Sequence, residues 1–193
     1  MIFFYRWEEG GGGKMDFLLK EMKPGRTKLG EGTGKVVEAI PASQKVANEL
    51  TKLARQRKCR YYDKQRMTAG ASPPRSAYTT KTIFAVKLFK KDTTSREYEG
   101  VAATIMREVA CMLTVAHPHV MPVLKWIMPD TPCDFELAII MPKMRCNVAE
   151  LIRKLDVQRN GMSVDVATSF LVQMLSALTY LHARTFVHRD IKP

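Results

Sequence analysis

The sequence predicts an α+β fold, with strands and one helix in the first 141 residues and helices alone after them. Three observations carry this reading. Glycines 30, 32 and 34 sit between Leu29 and Val36-Val37, which suits a strand–turn–strand. Two runs rich in β-branched and other apolar residues, 82–89 and 135–141, have the length of strands. Two longer stretches, 100–115 and 163–184, repeat their apolar residues at helical spacing. The 193 residues, 46% of them hydrophobic, are enough to bury a core in one domain or two small lobes.

Composition narrows the function classes. The formal net charge is +12, from 31 basic and 19 acidic residues. That excess fits a soluble basic surface, and equally an acidic partner such as nucleic acid, phosphate or an acidic docking segment. The four cysteines, Cys59, Cys111, Cys133 and Cys146, include no Cys-x-x-Cys pair of the zinc or redox kind. They read as reduced thiols of an intracellular protein, with Cys111 and Cys146 partly buried. The apolar opening, Met1 to Tyr5, ends at Arg6 and is too short for a signal core. No later stretch reads as the roughly 20 apolar residues of a membrane span.

Residues 1–15 read as a loose extension, because the run Gly10 to Gly13 has high backbone entropy and nothing to pack. Residues 16–28 lead into the first strand. The glycine turn at Gly30, Gly32 and Gly34 lets the backbone come close to a phosphate. Residues 40–80 form a basic insertion holding Lys45, Lys52, Arg55, Arg57, Lys58, Arg60, Lys64, Arg66 and Arg75. Its residues 47–67 allow a mostly solvated helix, and the whole reads first as a disordered surface segment, then as a basic docking segment. In 82–89, alternation puts Phe84, Val86 and Leu88 on one face and Ile83, Ala85, Lys87 and Phe89 on the other. A lysine on that apolar face needs a partner, since burying an unpaired ammonium is costly.

In the helix at 100–115, Ile105, Val109 and Met112 fill the apolar stripe and Glu108 lies at helical spacing from Cys111 and Val115. Pro118, in His117-Pro118-His119-Val120, stops that helix. Strands are expected at 120–127 and 135–141, a short helix at 149–155, and a long helix capped by Ser163 or Asp165 and running through Arg184. Phe170, Leu171, Met174, Leu175, Leu178 and Leu181 give the long helix a wide apolar stripe. The chain ends on His188-Arg189-Asp190-Ile191-Lys192-Pro193.

That ending resembles the catalytic loop of eukaryotic protein kinases, His-Arg-Asp followed a few residues later by Asn. Ala85-Val86-Lys87, Arg107-Glu108-Val109, His117-Pro118-His119-Val120 and Leu178-Thr179-Tyr180-Leu181-His182 resemble the motifs that precede the loop in that family, in the same order. The glycine turn resembles the family's Gly-rich loop but is one residue short, Gly-x-Gly-x-Gly-x-Val in place of Gly-x-Gly-x-x-Gly-x-Val. The compact stretch Met144 to Val148 is similar to the mitogen-activated and cyclin-dependent groups.

The resemblance implies an N-terminal lobe over residues 16–141, built of an antiparallel sheet and the αC helix, a hinge at 142–147, and the first helices of a C-terminal lobe at 148–193. It implies an ATP-dependent serine/threonine kinase using Mg²⁺, with a protein substrate. Asp190 would accept the proton of the substrate hydroxyl and Lys192 would steady the γ-phosphate. Lys87 would hold the α- and β-phosphates and Glu108 would hold Lys87. Gly30, Gly32 and Gly34 would cover the phosphates, and Val36 and Ala85 would enclose adenine. Met141 would be the gatekeeper, Met144 the hinge donor and Asn147 the ribose contact. Met112, Val123 and His188 would share a buried stack. The family's Mg²⁺ ligands, the loop Asn and the Asp of Asp-Phe-Gly, would lie past Pro193, so the 193 residues alone are expected to be inactive or nearly so, with the apolar face of the long helix exposed. No metal ligands are assigned within the chain. Two other classes stand beside the kinase: a pseudokinase or regulatory fragment that acts by binding, and, ranked last, a nucleic-acid binder through the insertion, since it leaves Lys87, Glu108 and Asp190 unexplained. A cytoplasmic or nuclear location is expected.

Overall fold

The computed structural model describes residues 20–31, 34–57, 77–90, 103–129, 135–157, 162–189 and 191–192. Residues 1–15, Gly32, residues 58–76, Cys59, Cys133 and Asp190 lie outside them. The elements are β1 (Met22–Glu31), β2 (Gly34–Pro41), α1 (Gln44–Gln56), β3 (Phe84–Lys90), α2 (Ala103–Thr114), β4 (Lys125–Ile127), β5 (Phe135–Pro142), α3 (Val148–Val157) and α4 (Val164–His182). The strands form one antiparallel sheet in the order β1-β2-β3-β5-β4.

Cross-strand partners share a face of the sheet, so the register sorts the side chains. Val36 pairs with Lys87 and Lys87 with Ile139; Glu38 pairs with Ala85 and Ala85 with Met141. That face packs on α2: Phe89, Leu137, Ile139, Met141 and Val123 bury Val109, with Ile105, Met112 and Leu113 against them. The opposite face carries Val37, Ala39, Phe84, Val86, Leu88, Ala138 and Ile140. The alternation predicted for β3 is therefore the division between two cores.

The second core corrects the reading of the insertion. Residues 44–56 are not disordered, and one face of their helix is not solvated. They form α1, whose Val46, Ala47, Leu50 and Ala54 are buried against the second face. The Ser43 hydroxyl starts the helix by accepting from the Val46 N–H at 3.3 Å. The buried Thr51 hydroxyl donates to the Ala47 carbonyl and accepts from the Tyr78 N–H, both at 2.8 Å. Gln44 Nε2 donates to the Tyr78 carbonyl at 3.1 Å, and the Tyr78 ring meets Phe84 edge-on at 4.8 Å. The chain thus leaves the sheet, covers it, and is stitched back to α1 before β3 begins.

Lys125 closes this layer. It pairs with Ile140 in the register, which places it on the α1 face. Its ammonium lies 3.0 Å from Glu21 and 3.0 Å from Glu49 of α1. Burial pulls its pKa down, but the hydrogen bonds and charges of Glu21 and Glu49 outweigh that and the net shift is upward. β4 itself covers only Lys125–Ile127, not 120–127. Pro122 has no N–H for a ladder, and pairing resumes where the Leu124 N–H donates to the Ile140 carbonyl at 2.8 Å.

α4 starts at Ser163, whose hydroxyl accepts from the Val166 N–H. It ends in a turn where the Phe186 N–H donates to the Leu181 carbonyl and the Thr185 N–H to the His182 carbonyl. Thr185 takes the left-handed conformation this turn requires, with φ 64°. Ala177 and Leu181 are buried, whereas Phe170, Leu171, Val172 and Leu175 are exposed. At 19 residues α4 is long and apolar enough to cross a membrane, which amends the expectation that no segment is. Polar contacts set it against the loop after α2. Tyr180 Oη accepts from the Ala116 N–H at 3.1 Å, and Ser176 Oγ lies 3.3 Å from His117 Nε2.

His117 Nδ1 accepts from the His119 N–H at 3.2 Å, a contact that favours the tautomer with its proton on Nε2, the atom 3.3 Å from Ser176 Oγ. Burial, then the charges of His119 and Arg184, lower its pKa below 6.5. A histidine whose folded pKa is depressed contributes stability above its unfolded pKa and loses it as pH falls through the folded one. The stability difference between pH 7.5 and 5.5 is therefore expected to be smaller in His117→Gln than in the native chain, measured by urea unfolding. An equal difference in both would contradict the assignment.

Candidate nucleotide site

Two strands and a helix bring the site together. β3 carries Lys87 on an apolar face because Ala85 and Phe89, two residues to either side, face the same way. Helical spacing in α2 turns Val109 and Met112 into the core and leaves Glu108 at the sheet's surface. Lys87 Nζ lies 2.5 Å from Glu108 Oε1, and 4.4 Å above the centre of the Phe89 ring. The lysine is 19% exposed and the glutamate 39%. The ammonium is thus compensated by a carboxylate and a ring face, yet remains open on one side.

Val36, Ala85 and Met141 share its face of the sheet. Val36 is half-buried in the row of Lys87, and Ala85 and Met141 are buried one row along. Gly30 pairs with Val36, and Glu31 with Lys35, so β1 and β2 form an antiparallel hairpin; Gly32 lies outside the described residues. Gly34 opens β2, paired with Phe89. Met144 is half-buried in the connection after β5.

Asn147 has a role that the sequence reading did not give it. Its Oδ1 accepts from the Glu150 N–H at 2.7 Å and caps α3. Any ribose contact would have to share that side chain. Lys192 and His188 are exposed, and Arg189 takes a left-handed φ of 59°. His188 therefore does not join the stack with Met112 and Val123, which do share a core.

A further contact was missed altogether. Glu38, on the Lys87 face, holds Lys143 of the hinge segment at 2.8 Å, each 19% exposed. It ties β2 to the connection between the two halves of the chain, and spans more than a hundred residues that no local pattern links.

The chemistry of this set fits a nucleotide. A part-buried cation stands beside an apolar patch of Val36, Ala85 and Met141, on a sheet whose first two strands carry Gly30 and Gly34. A bound ATP would supply the transferable phosphoryl group. Among the described residues no cluster of three His, Cys, Asp or Glu could hold a metal ion, so Mg²⁺ is assigned no ligands within them.

A family profile described as "Protein kinase domain" matches residues 75–193, beginning after the hairpin and α1. Among curated proteins, the chain is 28% identical over 109 residues to cyclin-dependent kinase 2 of Caenorhabditis elegans, covering 56% of this chain and 28% of that one. It is 30% identical over 119 residues to cyclin-dependent kinase F-3 of Oryza sativa subsp. japonica, covering 61% and 25%. It is 31% identical over 112 residues to the serine/threonine-protein kinase SSN3 of Phaeosphaeria nodorum, covering 57% and 24%. The matched part therefore spans about a quarter of the length of these relatives. With more than half of its residues matched by the profile, and with Lys87, Glu108 and the His188-Arg189-Asp190 string inside that match, the chain belongs to the protein kinase domain family.

Proposed function

We propose that this chain is the nucleotide-binding part of an ATP-dependent serine/threonine protein kinase. The observation that carries the reading is the Lys87–Glu108 ion pair on the sheet face that also bears Val36, Ala85 and Met141. Lys87, held by Glu108, fixes the phosphates. Val36 and Ala85 enclose the base, Met141 limits the depth of the pocket, and the Met144 backbone meets the base edge. Asp190 orients the Ser or Thr hydroxyl and takes its proton, while Lys192 offsets the charge on the moving phosphoryl group. Positioning and fixed charge supply most of such a reaction. The exposed, basic side of α1, with Lys45, Lys52 and Arg55, is the proposed contact for an acidic docking segment of a protein partner.

The 193 residues contain neither the loop Asn nor Asp-Phe-Gly. They are expected to bind ATP, and with Mg²⁺ and a generic basic substrate protein to turn it over no faster than the Asp190→Asn variant. The variant is expected to keep its ATP affinity, because Asp190 acts on the hydroxyl. Absence of ATP binding at millimolar concentration would contradict the kinase reading. Turnover well above Asp190→Asn would contradict only the inactivity of the chain alone.

A further inference from the structure

Arg57 follows α1, the helix on the side of the sheet away from the nucleotide-facing residues. Its guanidinium nevertheless reaches the other layer, where Nη1 donates to the Leu113 carbonyl in the last turn of α2. The last carbonyls of a helix lack partners of their own and carry its negative end. α2 has no basic residue in its last turn. The Cys111 carbonyl is met locally, by the Val115 N–H and the Thr114 hydroxyl. The Leu113 carbonyl is met by the guanidinium of Arg57, just past the end of α1.

α1 is a firm base for that contact. Its buried face is part of the core, and Lys125 ties Glu49 to the sheet at 3.0 Å. Glu108 lies five residues before Leu113 on the same helix, about one and a half turns away. A shift of that helix end moves Glu108 relative to Lys87.

We infer that α1 braces α2 and that Arg57 is a positioning residue for the Lys87–Glu108 pair. The effect on nucleotide rests on the function proposed above; the effect on α2 does not. The described first part of the insertion, through Arg57, is then part of the site's support.

The test compares the native chain with Arg57→Ala, Arg57→Lys and, as a control on the neighbouring exposed side chain, Gln56→Ala. Amide hydrogen exchange is read in residues 109–114, with residues 46–54 and 84–90 as internal references, and affinity for a fluorescent ATP analogue is read in parallel. Arg57→Ala is expected to speed exchange in 109–114 at least tenfold, leave the references protected, and weaken the analogue severalfold. Arg57→Lys is expected to restore part of both effects, and Gln56→Ala to show neither. Unchanged exchange in 109–114, or equal loosening of the references, would overturn the brace. Faster exchange in 109–114 with undiminished affinity would overturn the positioning role. If the native chain binds no analogue, the proposed function fails, while the exchange data still decide the brace.

Discussion

Leu50→Ala is expected to cost the fold about 2–5 kcal/mol, a large part of the roughly 5–15 kcal/mol that holds a domain folded. Leu50 is fully buried at the centre of α1, among the side chains of the sheet face it covers. The substitution removes the atoms that fill that layer while the helix backbone, pinned by Ser43, Thr51 and Lys125, has little freedom to collapse onto the gap. Lys52→Ala, on the exposed side of the same helix, is expected to change stability by less than about 0.5 kcal/mol. Urea unfolding of the two variants checks the pair. Were both near native, α1 would be an appendage to the sheet.

Lys87→Met is expected to weaken ATP binding roughly ten- to a hundredfold, as loss of a charge-assisted hydrogen bond to phosphate should. Methionine keeps the unbranched shape, so the β3 packing and the overall fold should persist. Glu108→Gln is expected to weaken binding less, because the amide still accepts from Lys87 but no longer pins it with charge. Calorimetric titration with ATP distinguishes these effects, and thermal unfolding of each variant shows that the fold is intact. Equal affinity in the native chain and Lys87→Met would remove Lys87 from the site.

The Lys87–Glu108 pair was legible in the sequence because each half of it is set by a local pattern. The period of two in 82–89 puts Lys87 on the face of Ala85, and helical spacing in 103–114 separates Glu108 from the core residues beside it. What the sequence hid is mostly long-range. α1 carries only Val46, Ala47, Leu50, Leu53 and Ala54 as apolar residues beside Lys45, Lys52, Arg55 and other polar side chains, so its composition reads as solvated. Small side chains nonetheless let a helix lie close to a sheet, and Ser43 was the available sign that one starts there. Lys125 with Glu21 and Glu49, Glu38 with Lys143, and Arg57 with Leu113 join residues far apart in the chain, and no spacing rule links them. Pro122 did announce the short β4, and Asn147 at the start of α3 sits in a common capping position. Both are local signals, present in the residues themselves.

The most direct test of a nucleotide site at Lys87 uses an ATP derivative bearing an acyl group on its terminal phosphate. An amine held at the phosphates attacks the acyl carbonyl, the acyl–oxygen bond breaks, and the acyl group stays on that amine as an amide while ATP leaves. Peptide mapping of the labelled chain is expected to find the acyl group on Lys87 and to lose that signal when excess ATP is present. Label spread over exposed lysines such as Lys45 and Lys52, with no protection by ATP, would contradict the site.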